Sequence, residues 1–90
     1  MNVILKVMKI NIKVLGPGCP KCKTLEKLTN EVVSENGIDA EVSKVEDIVQ
    51  IIKYNIFSTP ALVINEKVAV KGSVPSKEEI KKHIEHAINS

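Results

Sequence analysis

The sequence predicts an α/β fold, a mixed four-stranded sheet flanked by helices in the order β-α-β-α-β-β-α. Three observations predict it. Polar and apolar residues alternate over Lys9–Leu15, and apolar residues at helical spacing follow after a short Gly-Pro-Gly loop. A second strand-like run, Ile38–Lys44, comes after Gly37. Near the C-terminus two short apolar runs meet at Asn65-Glu66-Lys67 and lead into a last amphipathic segment. A β-α-β start implies a parallel pair joined by a right-handed crossover. A closing hairpin adds antiparallel strands.

Each element has its own signal. In the first strand Ile10, Ile12 and Val14 share one face, the pattern of a half-buried strand. Gly16-Pro17-Gly18 is a loop. The first helix runs from about Cys19 to Asn36 and stops at Gly37, a residue suited to a helix C-terminus. Its Leu25, Leu28 and Val32 have helical spacing. Ser43-Lys44-Val45-Glu46 has the spacing of a capping box, which predicts a second helix carrying Ile48, Ile51 and Ile52 on one face. Ile56–Pro60 is a connection, with Ile56 and Phe57 expected in the core. Ala61–Ile64 and Val68–Val70 read as a hairpin. Ser76-Lys77-Glu78-Glu79 is another capping box, and it opens the last helix with Ile80, Ile84, Ala87 and Ile88 as its stripe.

Ninety residues suffice for one domain. Residues 8–90 are expected to form it, with residues 1–7 as a lead-in or strand extension. The apolar start is broken by Lys6 and Lys9, and no small-residue cleavage site follows, so it does not read as an export signal. A cytoplasmic location is the expectation. The formal charge of +2 is too mild to argue for nucleic acid, and Tyr54 and Phe57 are the only aromatic residues, too few for a base-stacking platform. No stretch is long enough to span a membrane.

The chemistry-bearing segment is Gly18-Cys19-Pro20-Lys21-Cys22, which holds both cysteines. A C-x-x-C between a strand and a helix reads as a dithiol/disulfide pair. In a cytoplasmic protein such a pair is catalytic more often than structural. The helix N-terminus aims unpaired N–H groups and a positive dipole end at the first sulfur, which favours its thiolate. On a helical wheel Cys19 points about 145° away from the mean of Leu25, Leu28 and Val32, with Cys22 between. Cys19 is therefore expected exposed and Cys22 partly buried. Lys21 and Lys23 are candidates to add positive charge. Gly16 and Gly18 let the loop turn, or let a partner's backbone approach Cys19. His83 and His86, with the cysteines, make a nominal two-Cys, two-His set, but a gap of about sixty residues is not finger spacing. No metal site is expected.

The element order, with Cys19-Pro20-Lys21-Cys22 after the first strand and Thr59-Pro60 before the third, resembles the thioredoxin fold in its minimal, glutaredoxin-sized form. It looks most like the small thioredoxin-like proteins called redox-active disulfide protein 2. Gly16-x-Gly18, Leu25-Glu26-Lys27, Gly37-Ile38-Asp39-Ala40, Thr59-Pro60-Ala61-Leu62 and Gly72-x-Val74-Pro75-Ser76-x-Glu78-Glu79-Ile80 carry the resemblance, roughly from Met8 to the C-terminus. It implies that Cys19 is the attacking thiol and Cys22 the resolving one. It also implies a cis Thr59-Pro60 peptide beside Cys19, with backbone that pairs with an extended substrate. Gly18 and Lys21 are further candidates for substrate binding, Gly18 by letting a partner approach and Lys21 by choosing partners.

The chain departs from the thioredoxin pattern at two places. Gly18 stands where thioredoxins carry tryptophan before the first cysteine. Lys13 stands, with no gap, where they carry an acid six positions before it. A single Gly72 followed by Ser73 replaces the glutathione-holding Gly-Gly and Asp of glutaredoxins.

The expected activity is thiol–disulfide exchange with disulfide-containing proteins or small thiols. The expected chain is a monomer with no cofactor beyond the Cys19–Cys22 pair, re-reduced by a reductase or small thiol, and it binds neither nucleic acid nor membrane. Two alternatives are a soft-metal chaperone holding Cu(I) between the thiolates and a redox-regulated interaction module. Small copper chaperones run β-α-β-β-α-β, which leaves no place for Thr59-Pro60 or a terminal helix.

Overall fold

A computed structural model of the chain describes residues 10–88. The expected lead-in over residues 1–7 lies outside them. The elements are β1 (Ile10–Leu15), α1 (Pro20–Glu35), β2 (Ala40–Val45), α2 (Ile48–Ile52), β3 (Ala61–Ile64), β4 (Lys67–Lys71) and α3 (Lys77–Ile88). They form a four-stranded sheet in the order β2-β1-β3-β4. β1 and β2 run parallel, while β1–β3 and β3–β4 are antiparallel.

The alternation in β1 splits the core between the two faces of the sheet. Ile10, Ile12 and Val14 pack with Leu25 and Val32 of α1, Leu62 and Ile64 of β3, and Ile80 and Ile84 of α3. Leu15, on the other face, packs with Ile51 of α2, Ile56, Ala61 and Val63. β3 is central and covered on both sides, so all four of its residues are buried. That accounts for its unbroken apolar run. The β3–β4 turn holds Asn65 and Glu66 at φ 51° and 68°, the left-handed pair of a two-residue hairpin. The second capping box is present: the Ser76 N–H donates to Glu79 Oε1 at 3.1 Å, and the Glu79 N–H donates to Ser76 Oγ at 3.3 Å.

Three expectations need correction. Ser43–Glu46 does not cap a helix. Lys44 and Val45 continue β2 and pair with Val14 and Leu15, because ladder bonds to β1 satisfy backbone that a local cap would otherwise serve. α2 begins later, with Asp47 as its cap, Oδ1 accepting the Val49 N–H at 2.9 Å. Of the three isoleucines placed on one buried face, only Ile51 is buried. Ile48 and Ile52 are exposed: they flank Ile51 on the helix, and only the middle of that face reaches the sheet. Phe57 is 81% exposed, whereas Ile56 is at 1%. Successive residues of an extended connection point to opposite sides, so only one of the two can enter the core.

Candidate active site

The loop after β1 leads into α1 at Cys19, which occupies the cap position with extended backbone (φ −70°, ψ 166°). Its carbonyl accepts the first helical bond, from the Lys23 N–H at 3.0 Å. Pro20 stands at the start of the helix, where its lack of an N–H costs nothing. The first free donors are therefore the backbone N–H groups of Lys21 and Cys22.

The two sulfurs lie 2.7 Å apart, as free thiols. Their settings differ. Cys19 is half-buried, while Cys22 is 5% exposed. The Cys22 thiol donates toward Cys19 and is the main cause that pulls the Cys19 pKa below its ordinary 9.0, with the Cys22 and Lys21 backbone N–H groups adding to it. Burial pushes the Cys22 thiol up from 9.0, and its bond to Cys19 pushes it further. One sulfur is thus poised as a thiolate and the other is held as a thiol. The part Lys21 plays comes through its main chain; its side chain is exposed.

Two glycines shape the loop, for different reasons. Gly18 has φ +95° and is the residue that turns the chain. Gly16 is required for packing: a Cβ placed there would overlap Cys22 Sγ and lie 3.1 Å from Cys22 Cβ and 3.7 Å from Thr59 Cβ. The same contacts bring Thr59 beside the thiol pair. The Thr59–Pro60 peptide is cis, Pro60 is buried, and its carbonyl accepts the Gly72 N–H at 2.9 Å.

Lys13 is not at this site. It points to the α2 face, where Nζ donates to Tyr54 Oη and to Glu66 Oε2, each at 2.8 Å, while the Tyr54 hydroxyl donates to Glu66 Oε1 at 2.7 Å. These contacts push the Lys13 pKa up to about 12. The next residue, Val14, backs Cys22 instead. Counting six positions back from Cys19 reached the wrong side of the sheet, because neighbouring strand residues alternate faces.

A small cavity of about 30 Å³ lies behind Cys22, lined by Val14, Gly16, Gly18, Lys23, Glu26, Lys44 and Glu46. Neither of its carboxylates is among the site residues expected from the sequence, although Glu26 follows Cys22 at the i, i+4 spacing that places side chains together on a helix. His83 and His86 line a separate groove with Ile10, Ile38 and Val68, and neither cysteine reaches it.

A Thioredoxin domain family model matches residues 10–85. The chain is 41% identical over 73 residues to a thioredoxin of Methanothermobacter thermautotrophicus, covering 81% of this chain and 95% of that one. It is 37% identical over 81 residues to a thioredoxin of Methanocaldococcus jannaschii, covering 90% and 92%. Among solved structures, thioredoxin-2 of the malaria parasite aligns with a TM-score of 0.68 at 14% identity, over 87% of this chain and 82% of its own. The oxidised thioredoxin of Plasmodium falciparum aligns at 0.62 and 19% identity, over 93% and 86%. At those identities the structures speak to the fold, and the family model and the two archaeal relatives speak to descent: the chain belongs to the thioredoxin family.

Proposed function

We propose that the chain is a thiol–disulfide oxidoreductase that reduces disulfides in protein partners. The observation that supports it most is the asymmetric pair at the head of α1: an accessible sulfur favoured as thiolate and a buried one favoured as thiol, 2.7 Å apart. The Cys19 thiolate attacks one sulfur of a substrate disulfide, and the other substrate sulfur leaves as a thiolate. Cys22 loses its proton and attacks Cys19 in the mixed disulfide. The second substrate thiolate departs and Cys19–Cys22 is left oxidised, two electrons having passed to the substrate. A reductase or small thiol restores the dithiol, with no cofactor.

The Thr59–Pro60 backbone beside the thiols offers an extended substrate segment its pairing edge, with Gly18 and Lys21 forming the near border. Exposed Phe57, two residues before Thr59, gives that border an apolar contact suited to protein substrates. The chain acts as a monomer in the cytoplasm, where a reducing pool keeps the pair in its working state.

The test is capture with Cys22→Ser, which leaves the attacking thiol without its resolver. Mixed disulfides with protein targets should accumulate and should be lost in Cys19→Ser. Trapping by Cys19→Ser alone would reverse the two roles. Acceleration of insulin reduction by dithiothreitol separates this reading from a slow redox-gated interaction module. Stoichiometric metal in protein purified under reducing conditions would instead favour the Cu(I) chaperone.

A further inference from the structure

The exchange cycle described above needs the Cys22 proton to leave at the moment Cys22 attacks Cys19, yet burial and the neighbouring Cys19 sulfur keep that proton on. Val14 lines the same cavity as Cys22, and Cys22 itself is all but sealed from solvent. The charged residues around it come from two elements: Lys23 and Glu26 of α1, and Lys44 of β2 with Glu46 just beyond. Lys13, although close in sequence, is turned to the opposite face of the sheet.

The two carboxylates are not equivalent. Glu46 is exposed and stands at the Gly18 edge, where a Cβ built on Gly18 would lie 3.6 Å from its Oε2. It also faces Lys44 Nζ at 4.0 Å. Glu26 is half-buried and follows Cys22 by one helical turn, which places their Cβ atoms about 5–6 Å apart. None of the ion pairs among the described residues engages it. The cavity they share, about 30 Å³, exceeds the roughly 10–15 Å³ that one water needs, and thiol and carboxylate supply its polar partners.

We propose that Glu26, through a water in this cavity, accepts the proton of Cys22 as Cys22 attacks the Cys19 sulfur of the mixed disulfide. This rests on the oxidoreductase reading and assigns it a proton route. The thiol proton passes to water and the water's proton to the Glu26 carboxylate. The Cys22–Cys19 bond forms as the Cys19–substrate bond breaks, and the substrate thiolate takes the electron pair. Glu26 then returns the proton to solvent. It acts on Cys22 and does not touch the substrate, so its removal should affect resolution and spare attack.

The experiment is a single-turnover reaction of the reduced protein with a deficit of 5,5′-dithiobis(2-nitrobenzoate), followed by thionitrobenzoate absorbance over a range of pH. Attack by Cys19 releases the first thionitrobenzoate, and resolution by Cys22 releases the second. In Glu26→Gln the second phase should slow by about tenfold or more, less than the roughly hundredfold or more of a general base in direct contact, because water intervenes. Its pH profile should move to higher pH while the first phase is unchanged, and Glu26→Asp should recover part of the rate. An unaltered second phase and profile in Glu26→Gln overturns the proposal. So does equal slowing of both phases, the sign of a general perturbation, and so does a Glu46→Gln variant that slows the second phase when Glu26→Gln does not. Absence of the first phase in the unmodified protein would overturn the oxidoreductase reading itself.

Discussion

Gly16→Ala tests how tightly the loop is fitted to the buried thiol. The added methyl would overlap Cys22 Sγ, with Cys22 Cβ only 3.1 Å away. Neither partner has an easy retreat. The Gly16 N–H is tied to the Val45 carbonyl at 2.9 Å, which fixes the loop to the end of β2. Cys22 sits in the first turn of α1, where a helix disfavours one of the three χ1 wells, so Sγ has a single common alternative. Overpacking of this kind costs about 1–3 kcal/mol. At about 2 kcal/mol and roughly 5 °C per kcal/mol for a domain of this size, Tm should fall by roughly 10 °C. If Sγ swings away from Cys19, the second thionitrobenzoate phase should slow as well. Gly37→Ala is the control: nothing lies within 4 Å of the added methyl, but φ is +59°, so it should cost about 1 kcal/mol of backbone strain and leave exchange alone. Thermal unfolding of the reduced proteins and the two-phase assay measure both effects. A Gly16→Ala protein with unchanged Tm and unchanged second phase would refute the fit inferred between Gly16 and Cys22.

Further outcomes follow from neighbouring contacts. Cys22→Ala removes the main cause of the low Cys19 pKa, so thiolate absorbance should show Cys19 titrating closer to 9.0 than in the unmodified protein. In the reduced protein the folded pKa of Cys19 is depressed, so stability should rise with pH from that value up to 9.0. Between 9.0 and 10.5 it should fall, because the folded pKa of Cys22 is raised; up to 10.5, where the raised pKa of Lys13 begins to act, the oxidised protein should show neither trend in denaturant titrations. Ile56→Ala should cost about 2–5 kcal/mol, whereas Phe57→Ser should stay within about 0.5 kcal/mol and slow exchange with protein disulfides more than with small ones. A Lys13–Glu66 double-mutant cycle should give a coupling of no more than about 1 kcal/mol, since both side chains are partly in solvent. Lys13→Met should leave the pH profile of exchange unchanged, and a shifted profile would return Lys13 to the thiol site.

The elements that announce themselves in sequence are those whose pattern and tertiary role agree. β1 alternates because only the face carrying Ile10, Ile12 and Val14 is covered along its length, while Asn11 and Lys13 on the other face are half-buried; β3 is continuously apolar because both its faces are covered. The α3 capping box forms because no strand competes for its backbone. The same four-residue spacing at Ser43–Glu46 misleads, since β1 lies alongside and pairs with Lys44 and Val45. α2 is too short for periodicity to determine which of its isoleucines are covered, and a single step along the chain separates buried Ile56 from exposed Phe57.

At the site, spacing located the sulfurs but not what surrounds them. Counting back along β1 assumes that sequence offset fixes the side of the sheet, and one residue of offset exchanges the two sides. Val14 rather than Lys13 therefore backs Cys22. The consequence is chemical. Val14 is apolar, so the strand provides no acceptor on this cavity for the proton that burial keeps on Cys22. The nearest chain that can supply one is the helix that carries the thiol, one turn further on. Glu26 stands there, half-buried on the shared cavity, whereas Glu46 is exposed beside Lys44. Attack at Cys19 needs only the helix N-terminus and the Cys22 thiol. Resolution needs a route for a proton out of the fold, so substitutions around this cavity should separate the two half-reactions that the C-x-x-C spacing alone presents as one.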